Sequence, residues 1–163
     1  MTEPSTAPPG IDLGPLNQQV GYVLRRAQIA VFSDSIAYLN DVDLRPTQFG
    51  VLMVIDQNPG LTQSDVCLAL GIQKANFVPL LNELEHRGLA VRRKGKADRR
   101  AYALYLTAAG RALLGRARAL QAKYEKDLTR RLGNRGREQL LALLGRLIEP
   151  QRAPGASAAG HQS

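Results

Sequence analysis

Leu61–Thr107 reads LTQSDVCLALGIQKANFVPLLNELEHRGLAVRRKGKADRRAYALYLT. Its apolar residues change period along the stretch, which predicts a short helix, a tight turn at Gly71, a longer amphipathic helix and two brief strands joined by a basic loop. Thr62 is the expected N-cap of the first helix, with Asp65 three residues on completing a capping-box variant that satisfies amides left free at a helix start. Val66, Leu68, Ala69 and Leu70 supply its apolar surface. Gly71 can take the positive φ that a sharp exit requires. In the second helix Phe77, Leu80, Leu81 and Leu84 recur at spacings of three and four, so one face must be buried. Arg87 suits the negative end of that helix, and Gly88 closes it.

The other face of the second helix is polar. Gln73 and Lys74 stand at its start and Asn76 just inside, with Asn82 and His86 further on. Gln and Asn pair bidentately with adenine, and Lys binds guanine or phosphate, so these groups suit a major groove. A polar face on an isolated helix is usually only solvated; directly after a helix and a glycine turn it points to a recognition helix. In LAVRR and YALYL, alternation puts Leu89, Val91 and Arg93 on one side, and Tyr102, Leu104 and Leu106 on one side of the partner strand. The loop between them carries Lys94, Lys96, Arg99 and Arg100 against a single acid, Asp98. A compact positive tip of this kind reaches phosphates or a narrow minor groove. Asp98 and Arg100, two apart on extended chain, share a side, and the aspartate reads as a buttress that orients the arginine. The expected fold class is mainly α with a small antiparallel β-hairpin wing: a winged helix-turn-helix.

These residues resemble a known family. DRRAYALYLTAAG, preceded by LEHRGLAVRR and LGIQKANFVPLLNEL, is similar to the signature region of the MarR (multiple antibiotic resistance regulator) family of bacterial transcription factors. The family pattern of Asp, any residue, Arg, then Leu-Thr after the second wing strand falls on Asp98, Arg100, Leu106 and Thr107. Pro79 departs from a regular second helix, because it removes a backbone hydrogen bond; either the helix kinks there or it begins later. The resemblance implies a dimer built from the first, fifth and sixth helices, with a wing on each lobe. It also implies a crevice that takes a small aromatic or phenolic anion. Phe32, Ile36, Phe49 and Met53 are its candidate walls and Arg26 or Arg45 its carboxylate partner, with ordinary core and surface arginines an equal alternative for each. Some members sense oxidants through a cysteine. Cys67, the sole cysteine, lies four residues before Gly71 with nothing basic beside it, and reads better as a buried structural thiol.

Outward from this unit, 163 residues with 44% hydrophobic content suffice for one core. The formal charge of +8 favours an anionic partner. There is no apolar run of membrane-spanning length and no signal-peptide pattern, so a cytoplasmic location without a membrane partner is expected. Cys67, His86 and His161 cannot form a metal cluster, and no phosphate loop or nucleophile elbow is present; neither a cofactor nor enzymatic activity is expected. Glu83 and Glu85 read as solvated charges.

Residues 1–10 and 150–163, rich in Pro, Ala, Gly and Ser, are expected to be disordered tails. Residues 11–45 hold an N-terminal dimerisation helix running from Pro15 to about Asn40, with Asp12 ahead of its start. Its stripe of Leu16, Val20, Val23, Leu24, Ala27, Ala30 and Val31 is wider than a small winged lobe needs. Residues 46–107 form the DNA-binding lobe, opened by a helix at Pro46 and the plain turn Asn58–Gly60. Residues 108–149 hold the C-terminal dimerisation helices. Thr107 caps the first of these, which runs to about Leu132; Gly133 and Asn134 break it, and the second covers about Arg135 to Glu149.

The function expected is that of a homodimeric, sequence-specific DNA-binding transcriptional regulator, taken first as a ligand-released repressor on a pseudo-palindromic operator in double-stranded DNA. Its two recognition helices would stand roughly 34–36 Å apart. Gln73, Lys74 and Asn76 would read sequence, while Lys94, Lys96, Arg99 and Arg100 would supply salt-dependent affinity. Two alternatives are a redox-switched regulator using Cys67 and a non-specific architectural DNA-binding protein.

Overall fold

The computed structural model describes residues 11–94 and 102–149. The chain divides into two compact units, Met1–Tyr124 and Glu125–Ser163. In the first, α1 (Val20–Leu39), α2 (Pro46–Gln57), α3 (Gln63–Leu70) and α4 (Lys74–His86) precede the hairpin of β1 (Ala90–Lys94) and β2 (Tyr102–Leu106). Then α5 (Ala108–Leu132) begins in the first unit and ends in the second, where α6 (Asn134–Ile148) follows.

The helix-turn-helix forms as its local chemistry dictates. Thr62 Oγ1 accepts from the Asp65 amide at 3.3 Å, and Asp65 Oδ2 accepts from the Thr62 amide at 2.9 Å and hydroxyl at 2.7 Å. Gly71, at φ 63°, ends α3, and the Ile72 amide then donates to the Cys67 carbonyl at 2.9 Å, the wrap-around bond of a Schellman turn. Of the apolar residues of α3 only Val66 is fully buried, and Leu68 is 85% exposed, so the stripe is narrower than its composition implies. α4 starts at Lys74 and continues through Pro79; the helix begins no later because of the proline. The α4 exit repeats the Schellman pattern, with Leu89 donating to the Leu84 carbonyl at 2.9 Å.

The core lies in the first unit and draws on every element there. Leu39, Val51, Leu52, Ile55, Val66, Phe77, Leu81, Leu84 and Leu104 are fully buried, and Leu114 and Ala117 cover them from α5. Two devices fix the start of α5 against the hairpin. The Thr107 hydroxyl donates to the Gly88 carbonyl at 2.6 Å and accepts from the Gly110 amide at 2.9 Å. Gly110 also sits so close to Leu89 that a Cβ there would overlap the Leu89 carbonyl oxygen. Further along, Arg118 pairs with Asp56 at 2.7 Å and donates through Nε to the Met53 sulfur, tying α5 to α2. Tyr124, 3% exposed, donates to the Val31 carbonyl at 3.0 Å, tying it to α1.

Three expectations need correction. Pro15 does not open the first α-helix: Gly14–Gln18 is a 3-10 turn held by a Gly14 amide bond to the Asp12 carboxylate, and Gln19, in extended geometry, separates it from α1. Asn134 is the first residue of α6 and not part of the break, since Gly133 alone, at φ 70°, turns the chain. The segment after the Asn58–Gly60 turn is more than a link. Gly60 donates to the Leu104 carbonyl and Leu104 to the Leu61 carbonyl, both at 2.9 Å, so a third extended piece joins β2 through a Thr62–Ala103 bridge. Three residues are too few for alternation to be visible in a sequence.

Candidate nucleic-acid interface

α4 has one sealed face and one open face. Phe77, Leu81 and Leu84 are completely buried, while Gln73, Lys74, Ala75, Asn76, Pro79, Asn82 and His86 are exposed. Gln73 is the N-cap by backbone alone: its carbonyl accepts from the Asn76 and Phe77 amides and its side chain makes no capping bond. The amide of Gln73 and the ammonium of Lys74 therefore project from the start of the helix. Gln73, Asn76 and Pro79 line an open groove of about 760 Å³ whose other wall is the start of α2, with Arg45, Thr47 and Gln48. Gln48 is buried and its Oε1 accepts from the Arg45 amide at 2.9 Å, which closes the first turn of α2 behind Pro46.

The hairpin is locked to α4 by an arginine that sequence reading left unassigned. In the register Ala90↔Leu106 to Lys94↔Tyr102, Arg92 lies opposite Leu104. Its Nη1 pairs with Glu85 Oε2 at 2.8 Å, its amide donates to Glu85 Oε1 at 3.0 Å, and its Nη2 donates to Asn82 Oδ1 at 2.8 Å. Glu85 is thus not a solvated charge: its side chain is 25% exposed and both carboxylate oxygens are engaged. Opposite charges on either side of the Gly88 turn were the available signal, and only the turn geometry brings them together. On the other strand face Arg93 lies over the Tyr105 ring, 5.4 Å from its centroid. Lys94 is exposed at the outer end of β1. Lys96, Asp98, Arg99 and Arg100 lie outside the described residues.

The candidate ligand residues lie on α1 and on α2 with its N-cap Arg45. Phe32 and Ile36 are exposed on α1, whereas Phe49 and Met53 pack half-buried against the core. Arg26 donates to the Tyr22 hydroxyl. Of the six, only Arg45 borders the groove beside α4. Cys67 is half-buried against the core. Bonds from the Thr62 hydroxyl and then its amide hold the Asp65 carboxyl below its ordinary 3.8. Among the described residues no group of three or more His, Cys, Asp or Glu is placed to hold a metal ion, and no helix is long and apolar enough to cross a membrane.

Known proteins share this architecture. A family model described as the MarR family matches residues 42–101, from the end of the first helical segment into the wing. A putative transcriptional regulatory protein for the hcr operon of Thauera aromatica is 35% identical over 135 residues, covering 82% of this chain and 81% of that protein. The chain belongs to the MarR family. Among solved structures, the transcriptional repressor CouR bound to a 23-mer DNA duplex superposes on this MarR-family chain with a TM-score of 0.80. The identity is 43%, over 84% of this chain and 97% of that one. CouR bound to p-coumaroyl-CoA gives a TM-score of 0.81 at 41% identity, over 86% and 99%. The relatives are transcriptional regulators, and the fold, mainly helical with an antiparallel hairpin, is the one they share.

Proposed function

We propose that this MarR-family regulator is a homodimeric repressor that binds a pseudo-palindromic operator and leaves it when a phenolic effector binds. The observation that carries the reading is α4, with its apolar face sealed and its polar face open beside the wing. Gln73, Lys74 and Asn76 read base edges; Lys94, Lys96, Arg99 and Arg100 neutralise phosphates, with Asp98 orienting Arg100. Exposed Val20, Val23, Leu24, Ile29, Phe32 and Ile36 on α1, and Leu140, Leu141, Leu143 and Leu147 on α6, supply the apolar surface for dimerisation.

The effector class follows from CouR, whose ligand joins a phenolic ring to a polyanionic carrier. An aromatic acid or its coenzyme A thioester suits a chain of charge +8. Arg26 and Arg45 are the cationic groups, and Phe32, Ile36, Phe49 and Met53 the apolar ones, assigned to that ligand. Release requires only that it favour the lobe spacing that does not fit DNA, and the loss of affinity equals its differential affinity for the two states. The regulator works in the cytoplasm and has no catalytic step.

The test is binding to duplexes selected from a random-sequence pool, against scrambled duplexes of equal length, across a salt series. A preference of about a thousandfold with a steep salt slope is expected. Addition of p-coumaroyl-CoA or free phenolic acids is expected to lower it. Equal binding to selected and scrambled DNA would overturn the reading.

A further inference from the structure

The outward face of α4 carries a proline where base edges are to be read. At 100° per residue, Ala75, Pro79, Asn82 and His86 stand opposite Phe77, Leu81 and Leu84, and all four are exposed. Pro79 lies near the middle of that face and offers neither an amide nor a polar side chain. Ala75, one turn earlier, adds a methyl group. A proline inside a helix is unfavourable for the helix itself, so folding alone does not account for it.

Asn82 follows Pro79 by three positions, so the two side chains are neighbours. Arginine only donates hydrogen bonds. The Asn82 atom 2.8 Å from Arg92 Nη2 is therefore the acceptor Oδ1, and Nδ2, a donor, is the atom left for another partner. Glu85, bonded to Arg92 through both its guanidinium and its amide, holds that arrangement in place. The usual bidentate contact of asparagine with adenine needs Oδ1 to accept from N6 while Nδ2 donates to N7. Here one of the two Oδ1 lone pairs already serves Arg92, whose bond fixes the amide's orientation, while Nδ2 keeps its donors.

The face thus presents an apolar surface beside the Nδ2 donor group. In the major groove, a methyl group beside an acceptor is the edge of thymine, with C5-methyl and O4. We infer that Pro79 and Asn82 read a thymine in each half-site, Pro79 packing on the C5-methyl and Asn82 Nδ2 donating to O4. Arg92 is a positioning residue that touches no base and sets the polarity of the Asn82 amide. This inference rests on the operator-binding reading.

The experiment uses the full chain and the duplex it selects from a random pool, with each thymine replaced in turn by deoxyuridine, which removes only the methyl. One position per half-site is expected to lose about fourfold in affinity, the value of one buried methyl. In Pro79→Ser that thymine–uracil difference disappears while penalties elsewhere stay. In the neutral pair Arg92→Met with Glu85→Gln, which leaves no unpaired charge, Oδ1 is released and adenine becomes tolerated at that position; a merely structural role would weaken all sequences alike. Specific binding with no methyl penalty at any thymine, or a penalty that survives Pro79→Ser, overturns the pair. A pool that yields no enriched sequence removes the operator itself, a failure distinct from either.

Discussion

α4 and α6 are both amphipathic, 13 and 15 residues long, and end in opposite conditions. In α4 the apolar stripe of Phe77, Leu81 and Leu84 is completely buried by its own chain. In α6 no residue is buried, and Leu140, Leu141, Leu143, Leu147 and Ile148 remain 41% to 81% exposed. α1 resembles α6: of its 20 residues only Ser35 and Leu39 are buried. An apolar stripe announces that a helix needs a covering surface. It does not state whether that surface belongs to the same chain.

The contrast can be broken at either helix. The largest effect is expected from Phe77→Ala, which opens a cavity in the sealed face and costs about 3–5 kcal/mol in urea denaturation. A loss under about 1 kcal/mol would mean α4 is not closed by its own core. Leu143→Glu combined with Leu147→Glu should weaken self-association at least about a hundredfold by placing charges in an apolar contact, read by sedimentation equilibrium, while the melting of the first unit persists. Wild-type self-association in that variant would remove the distinction between the helices. Gly110→Ala pushes a methyl group into the Leu89 carbonyl and should destabilise by about 1–3 kcal/mol. A neutral outcome would show that the α5 start can shift away from the hairpin.

Two smaller effects sharpen the comparison. Arg100→Ala should weaken operator binding across sequences and lower the salt slope by about one, as loss of a phosphate contact does; unchanged affinity at physiological salt would remove the wing from the interface. The smallest concerns Asp65. Its carboxyl is held below 3.8 by the Thr62 hydroxyl and amide, so its contribution is complete above that value and fades as pH falls through the depressed one. Asp65→Asn should therefore flatten the acid limb of stability below about pH 4 and leave the rest of the profile parallel to wild type.

Local chemistry was legible wherever partners are close in sequence. The Thr62–Asp65 cap, the Gly71 turn, the Thr107 cap and the stripe of α4 all follow from spacings of seven residues or fewer; each forms as read except that Leu80 is only half-buried and lines the groove beside α2. The candidate base-reading residues were legible as an exposed polar face for the same reason. Arg92 was not, because its partners Asn82 and Glu85 meet it only after Gly88 reverses the chain. Leu68 went the other way. Composition counted it in the apolar surface of α3, yet that helix is only eight residues long and turns one narrow face inward, leaving Leu68 exposed.

The sequence by itself determined the order of the helices and hairpin of the winged unit, the Thr62 and Thr107 caps, the Gly71 turn and the basic balance, because these depend on near neighbours and on composition. The tertiary structure decided which stripes are satisfied within the chain, which acid is an ion-pair partner, and which atom of Asn82 Arg92 engages. Each of these is a contact between distant residues, set by how the helices pack and not by any local period.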